Sequence, residues 1–380
     1  MSKTVDSIAD LQQQTRVFSD WASPKGLRTD ILPWRLWDKG KKLHWDPADI
    51  DFTKDAEDWN NMEQQHRLML AGLANGFMVG EEGVTLDIMP LVFAIADEGR
   101  AEETLFLTQF AYEEAKHVDF FSRWFKAIGA DPLEMRALGR KNQEARGVNM
   151  GDPEQPNGLF ESILPRVMRR VLTDRSPEAF LECSVTYNQF IEGCLAIAGY
   201  RMWGQMFDAF QVMPGLREGL GHVQADERRH IAYGTYLCRR LIAGSPELAE
   251  YASEKMYDLR DVYIQAAGPA AARLGRAGNG DGSDSGNGEK PKRRLTADEI
   301  IAQAKKRAEE FAAQRGGSAG GYGGDGEFQI FGQVMLRQVD RRVELLRKAA
   351  KLDPEAAESG AGAEEIEEAL EHDAPVGASS

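Results

Sequence analysis

The sequence predicts an all-α protein: a four-helix bundle with additional helices. Strand signals are nearly absent from the first 267 residues, where no Val/Ile/Thr alternation is bounded by turn pairs. Apolar residues there recur at helical spacing over 55–95, 101–128, 158–173, 177–211, 215–242 and 246–266, and four of these segments are long enough to enclose a filled interior. Carboxylates interrupt the apolar stripes of those four, which points to a polar centre inside the bundle.

Taken in order, 55–95 carries the stripe Leu70, Leu73, Phe77, Glu81, Val84, Ile88, so Glu81 points inward while Glu82 sits about 100° round the helix. In 101–128 the stripe is Leu107, Phe110, Glu114, His117, Phe121. In 177–211 it is Val185, Gln189, Glu192, Leu195, Gly199, and in 215–242 it is Leu220, Val223, Glu227, His230, Gly234. The segments 158–173 and 246–266 are the additional helices of a domain spanning 1–267. Glycine marks its end, since 18 of the 38 glycines lie from Gly268 onward. Residues 268–295 read as a Gly-rich linker. Two tail helices follow within 296–352, one opened by the capping-box pair Thr296 and Glu299 and running through Gln314, the other over 327–351 on Phe328, Phe331, Met335, Val339, Val343 and Leu346. A second Gly-rich linker at 316–326 separates them, and 353–380 reads as an acidic disordered tail.

Composition excludes several classes. Of the net charge of −15, nine negative charges fall in the last 28 residues, so the body is close to −6 and offers no basic stripe to nucleic acid. Cys183, Cys194 and Cys238 lack Cys-x-x-Cys or zinc-type spacing, which is reducing-compartment usage. The opening MSKTVDSIADLQQQ has no basic start followed by an apolar run, and the apolar stretch Leu68–Gly80 runs straight into Glu81 and Glu82. The expectation is a cytoplasmic protein without membrane insertion.

Spacing makes the inward carboxylates specific. Glu114 and His117 stand at i, i+3, as do Glu227 and His230, so each pair projects from one helix face. A lone glutamate precedes each pair, Glu81 by 33 residues and Glu192 by 35. Four buried carboxylates are costly unless cations neutralise them, and two divalent ions balance them formally while the imidazoles bind as neutral donors. Oxygen ligands with one nitrogen per metal suit iron and manganese better than thiolate-seeking metals. This is the ligand set of ferritin-like dinuclear carboxylate bundles. His66 and His222 have no partner glutamate at the repeated spacing and are read as non-ligands, Cys183 and Cys194 as small core residues, and Asp226 as an acceptor orienting a ligand histidine.

On EEGVTLDIMP around Glu81, FAYEEAKHVDFF around Glu114 and His117, YNQFIEG around Glu192 and QADERRHIAYGTY around Glu227 and His230, the chain resembles the ligand-binding oxidases related to the small subunit of ribonucleotide reductase, over roughly residues 15–265. That resemblance implies a ferritin-like fold, a manganese–iron centre (di-iron being the alternative), dioxygen as co-substrate, a bound long-chain fatty acid and a homodimer. It also implies an ether cross-link between a valine and a tyrosine, which correspond here to Val84 and Tyr187. Ideal α-helical geometry does not select Tyr187, because a residue five before Glu192 lies about 140° away from it. The radical-generating subunit of ribonucleotide reductase is the alternative function, with ferritin-like storage behind it. Such subunits often carry a tyrosine four residues after the first ligand histidine, where this chain has Phe121, and Tyr322 is the only tyrosine beyond 263 to serve a tail relay. The sequence leaves open whether the tail packs on the bundle or binds a partner, and truncation at 316 is expected to leave metal binding intact.

Overall fold

A computed structural model of the 380-residue chain describes residues 26–145, 158–266, 294–303, 306 and 325–359. Among the described residues there is no strand. The helices are α1 (Leu32–Lys42), α2 (Thr53–Asn61), α3 (Gln64–Asp87), α4 (Met89–Asp97), α5 (Ala101–Ile128), α6 (Pro132–Ala145) and α7 (Leu164–Arg170), the last entered through a wide turn at Leu159–Ile163. Next come α8 in three parts (Pro177–Ser184, Val185–Ala196 and Ile197–Phe210), α9 (Pro214–Ile242) and α10 (Pro246–Ala266). A short helix at 297–303, α11 (Asp325–Ala349) and α12 (Pro354–Ser359) complete the described chain.

The segment expected as one helix over 55–95 is three. The chain turns extended at Met62 (ψ 144°) and Glu63 (ψ 145°), and Pro90 sits in the first turn of α4, where its missing N–H costs no helical bond. Helices α1 and α6 lie outside the segments expected from periodicity. The capping box at Thr296 forms: Glu299 Oε2 accepts from Thr296 N–H at 2.8 Å, and Thr296 Oγ1 accepts from Glu299 N–H at 3.3 Å. The two Gly-rich linkers lie almost wholly outside the described residues, as does 360–380, while Pro354–Ser359 of the segment read as disordered is helical.

Four helices, α3, α5, α8 and α9, bring the sequence-selected acids together. Along α5, Phe106 and Phe110 belong to one apolar cluster with Val84, Tyr187 and Tyr233, whereas Phe120, Phe121 and Trp124 belong to another with Trp59, Trp203 and Phe207. Glu114 and His117 lie between these dry layers, which shield the centre from water. Buried Asp55 on α2 fixes the start of α9, accepting from the backbone N–H of Gly215 and Leu216 at 2.8 Å each and from Trp124 Nε1–H at 3.0 Å. The tail is not separate from this body. Met335, Leu336, Val339, Val343 and Leu346 of α11 are buried in a third cluster with Val185 and Phe190 of α8 and Met256 of α10.

Candidate metal centre

The six residues picked out by spacing converge. Glu81, Glu114, His117 and Glu227 form one group, and Glu114, Glu192, Glu227 and His230 a second; within each, one ligand atom per residue lies within 4.8 Å of the others, and all are buried. Glu114 and Glu227 belong to both groups, as bridging carboxylates require. His117 Nδ1 lies 3.1 Å from Glu81 Oε2 and 3.6 Å from Glu227 Oε1. His230 Nδ1 lies 3.0 Å from Glu114 Oε1, 3.6 Å from Glu227 Oε2 and 3.7 Å from Glu192 Oε1. Buried Glu192 Oε1 and Glu227 Oε2 have no hydrogen-bond partner. Carboxylate oxygens left unpaired in a dry interior, facing one imidazole nitrogen per group, fit two hard divalent cations.

Local backbone explains the arrangement. The middle of α8, Val185–Ala196, is a π-helix, in which each turn takes an extra residue. Five residues then overshoot a full turn by only about 50°, against about 140° in an α-helix, so Tyr187 comes round towards the face of Glu192 rather than away from it. The phenol, buried in the apolar cluster that holds Val84, donates to Glu114 Oε1 at 2.9 Å. Burial and the nearby carboxylates of Glu114 and Glu192 push the phenol well above its usual range, so it keeps its proton.

A second ring of residues orients the histidines by exchange. Asp226, next to Glu227 on α9, meets His117 Nε2 of α5 at 3.1 Å. Glu113, next to Glu114 on α5, meets His230 Nε2 of α9 at 2.9 Å. Cations cross in the same way: Lys116 Nζ of α5 lies 2.8 Å from Asp226, and Arg229 of α9 donates to Glu113 Oε1 at 2.6 Å while also holding Asp226 Oδ1 at 2.5 Å. Trp45 Nε1–H donates to Asp226 Oδ2 at 2.8 Å. Burial pushes the Asp226 carboxyl up, but His117, Arg229 and Lys116 overcome it and hold the group well below the carboxylate range. Sequence reasoning found Asp226 and missed Glu113, Lys116, Arg229 and Trp45. The signal for three of them is a longer repeat, acid–Glu–x–base–His, read once at 113–117 and again at 226–230.

The family model described as ribonucleotide reductase, small chain, matches residues 31–265. The chain belongs to this family. As a small-chain family member it resembles solved structures along most of its length. An R2-like ligand-binding oxidase from Sulfolobus acidocaldarius shares 29% identity, with 89% of this chain and 97% of that one covered at a TM-score of 0.60. An R2-like ligand-binding oxidase with an aerobically reconstituted Mn/Fe cofactor shares 28% identity over 87% of this chain and 94% of that one, at a TM-score of 0.58. The small-chain fold here places buried Phe121 four residues after His117, so no phenol stands at that position. Tyr322 lies outside the described residues.

Another small-chain residue that the stripes did not select is Tyr200, whose hydroxyl is buried without a hydrogen-bond partner and feels the charges of Glu227, Glu81, Glu114 and Glu192. It sits one position off the stripe at Gly199, beyond the reach of α-helical periodicity counted from Glu192. His222 stacks on Trp45 with ring centroids 5.1 Å apart, and His66 packs beside Phe210 at 5.3 Å; neither belongs to the two groups. All three cysteines are buried; burial pushes the Cys183 thiol up and the Cys238 thiol up to about 12, which keeps both unreactive.

Proposed function

We propose that this chain is a dioxygen-dependent oxidoreductase of the ligand-binding oxidase type, with manganese and iron held by Glu81, Glu114, His117, Glu192, Glu227 and His230. The observation that carries the reading is the pair of ligand groups sharing Glu114 and Glu227, with the Tyr187 phenol on one of the shared carboxylates. Bound there, the two metals supply electrons to dioxygen and the oxidising power to take hydrogen from a nearby C–H bond. The protein does the rest. Asp226 and Glu113 fix which nitrogen of each imidazole faces inward. Glu114 stands at hydrogen-bond distance to receive the Tyr187 proton. Val84, one helical turn beyond Glu81 on the same face of α3, presents its C–H bonds to the cluster that holds Tyr187, and the ether cross-link joins those two side chains. Apolar layers on either side exclude water and accommodate a long-chain fatty acid, in keeping with the ligand-binding relatives. The homodimer and cytoplasmic location belong to the same reading; no described helix is long and apolar enough to cross a membrane.

Peptide mass mapping tests it. Apo protein loaded with manganese and iron and exposed to air should yield a Val84–Tyr187 peptide pair lighter by two hydrogens than its separate parts. Separate, unmodified peptides at full metal occupancy would sink the cross-link and favour the reductase subunit or a storage role.

A further inference from the structure

Carrying dioxygen to water takes four electrons, and two metal ions rising from +2 to +3 supply two of them. Joining Val84 to Tyr187 yields the other two, but only once per molecule. The chain holds a different tyrosine suited to serve repeatedly. Tyr233 follows His230 by three residues on α9, so their Cβ atoms are about 5–6 Å apart. It is fully buried, and its hydroxyl donates to Glu103 Oε2 at 2.9 Å. Glu103 is itself buried and stands beside Arg100 at 3.3 Å and Arg240 at 3.5 Å. Aromatic rings connect this pair to the centre without a break: His230 stacks on Phe110 (centroids 3.6 Å), Phe110 meets Phe106 (5.8 Å), and Phe106 meets Tyr233 (5.2 Å). In the other direction Tyr236 lies 6.4 Å away, towards Arg100, whose side chain is 27% exposed.

We propose that Tyr233, with Glu103 as its proton acceptor, is a redox-active tyrosine that gives an electron to the dinuclear centre when no substrate does. The inference rests on the oxidase reading above, which provides the oxidant. The Tyr233 O–H bond breaks, its proton moves to the Glu103 carboxylate, and its electron passes to the air-oxidised centre, leaving a neutral phenoxyl radical. A one-electron reductant in solution, acting by way of Tyr236, restores the phenol as Glu103 returns the proton. Burial and the Glu103 charge hold the phenol well above its usual range, so the proton leaves only as the electron does. A purely structural tyrosine would need the hydrogen bond but not the continuous rings, nor a base placed to take its proton.

The test uses full-length protein loaded with manganese and iron, mixed with oxygen-saturated buffer, frozen at intervals and read by electron paramagnetic resonance, with metal oxidation followed optically. An organic radical should form, disappear in Tyr233→Phe, persist in Tyr236→Phe and rise in Tyr187→Phe, which cannot make the cross-link. Glu103→Gln keeps a hydrogen-bond acceptor but loses the base, and should lower the radical yield by about tenfold or more. Oxidised metals with no radical in either the natural or the Tyr187→Phe protein overturn the proposal, as does a radical that survives Tyr233→Phe. Metals that stay reduced in air overturn the oxidase reading, and Tyr233 then has no oxidant.

Discussion

Glu114 differs from the three carboxylates around it. Burial pushes all four up, and for Glu81, Glu192 and Glu227 it prevails, reinforced by neighbouring carboxylates. For Glu114 the imidazoles of His117 and His230 overcome burial and hold the group below the carboxylate range. Burial alone would lower both histidines, yet the acids around them raise them well above their ordinary value. Without metal, then, Glu81, Glu192, Glu227 and both imidazoles hold protons more tightly than the free side chains do, and metal must displace the protons they carry. Loading in weakly buffered solution should release protons, and affinity should fall as pH drops, because a larger fraction of the ligands is then protonated and each must lose its proton before metal binds. A pH-independent affinity would contradict this balance. The convergence of these acids and histidines was legible in the sequence, since a carboxylate on an apolar stripe is a local signal and the Glu-x-x-His spacing here occurs twice. Trp45 was not, because what it does depends on a partner on another helix, and Glu113 shows only through the longer repeat shared by 113–117 and 226–230.

Among the helices, the π segment of α8 sets the geometry, and Gly234 of α9 is what lets α9 approach it. A Cβ at Gly234 would overlap Asn188 Cβ, which belongs to the stem of a side chain and cannot swing aside. Asn188 in turn donates to Glu192 Oε2 at 3.0 Å, and Ser184 Oγ–H bridges to Asn188 and to the Gly234 carbonyl. Gly234→Ala should therefore cost about 1–3 kcal/mol by overpacking. It should also displace Glu192, so metal titration would show the His230 group weakened before the His117 group. Equal loss at both would mean the glycine serves only packing. Helix positions were read well where amphipathic stripes ran long, as in α5 and α10. Periodicity misjudged Tyr187 because counting by 3.6 assumes a uniform α-helix, and nothing in VTYNQFIEGCLA announces a wider turn.

For the molecule as a whole, the C-terminal segment belongs to the core. Burying Met335, Leu336, Val339, Val343 and Leu346 contributes about 10 kcal/mol on the order of 2 per side chain, comparable to the whole stability of a domain. The expectation that truncation at 316 spares metal binding is therefore replaced: the truncated chain should aggregate or melt far lower in a thermal scan, and unchanged melting would show α11 to be dispensable. Composition hid this, since glycine-rich flanks read as a detachable tail. Asp55 works over a similar reach, joining α2, α5 and the start of α9; Asp55→Ala strands three donors and should cost about 2 kcal/mol or more in denaturant unfolding. The exchange of acids and cations between α5 and α9 has a mechanical consequence. Sliding one helix past the other by a single turn, about 5.4 Å, would break the Asp226–His117 and Glu113–His230 bonds together, so neither half can fail alone. The pair works as a vernier: only one alignment of the two helices brings both sets of marks into coincidence.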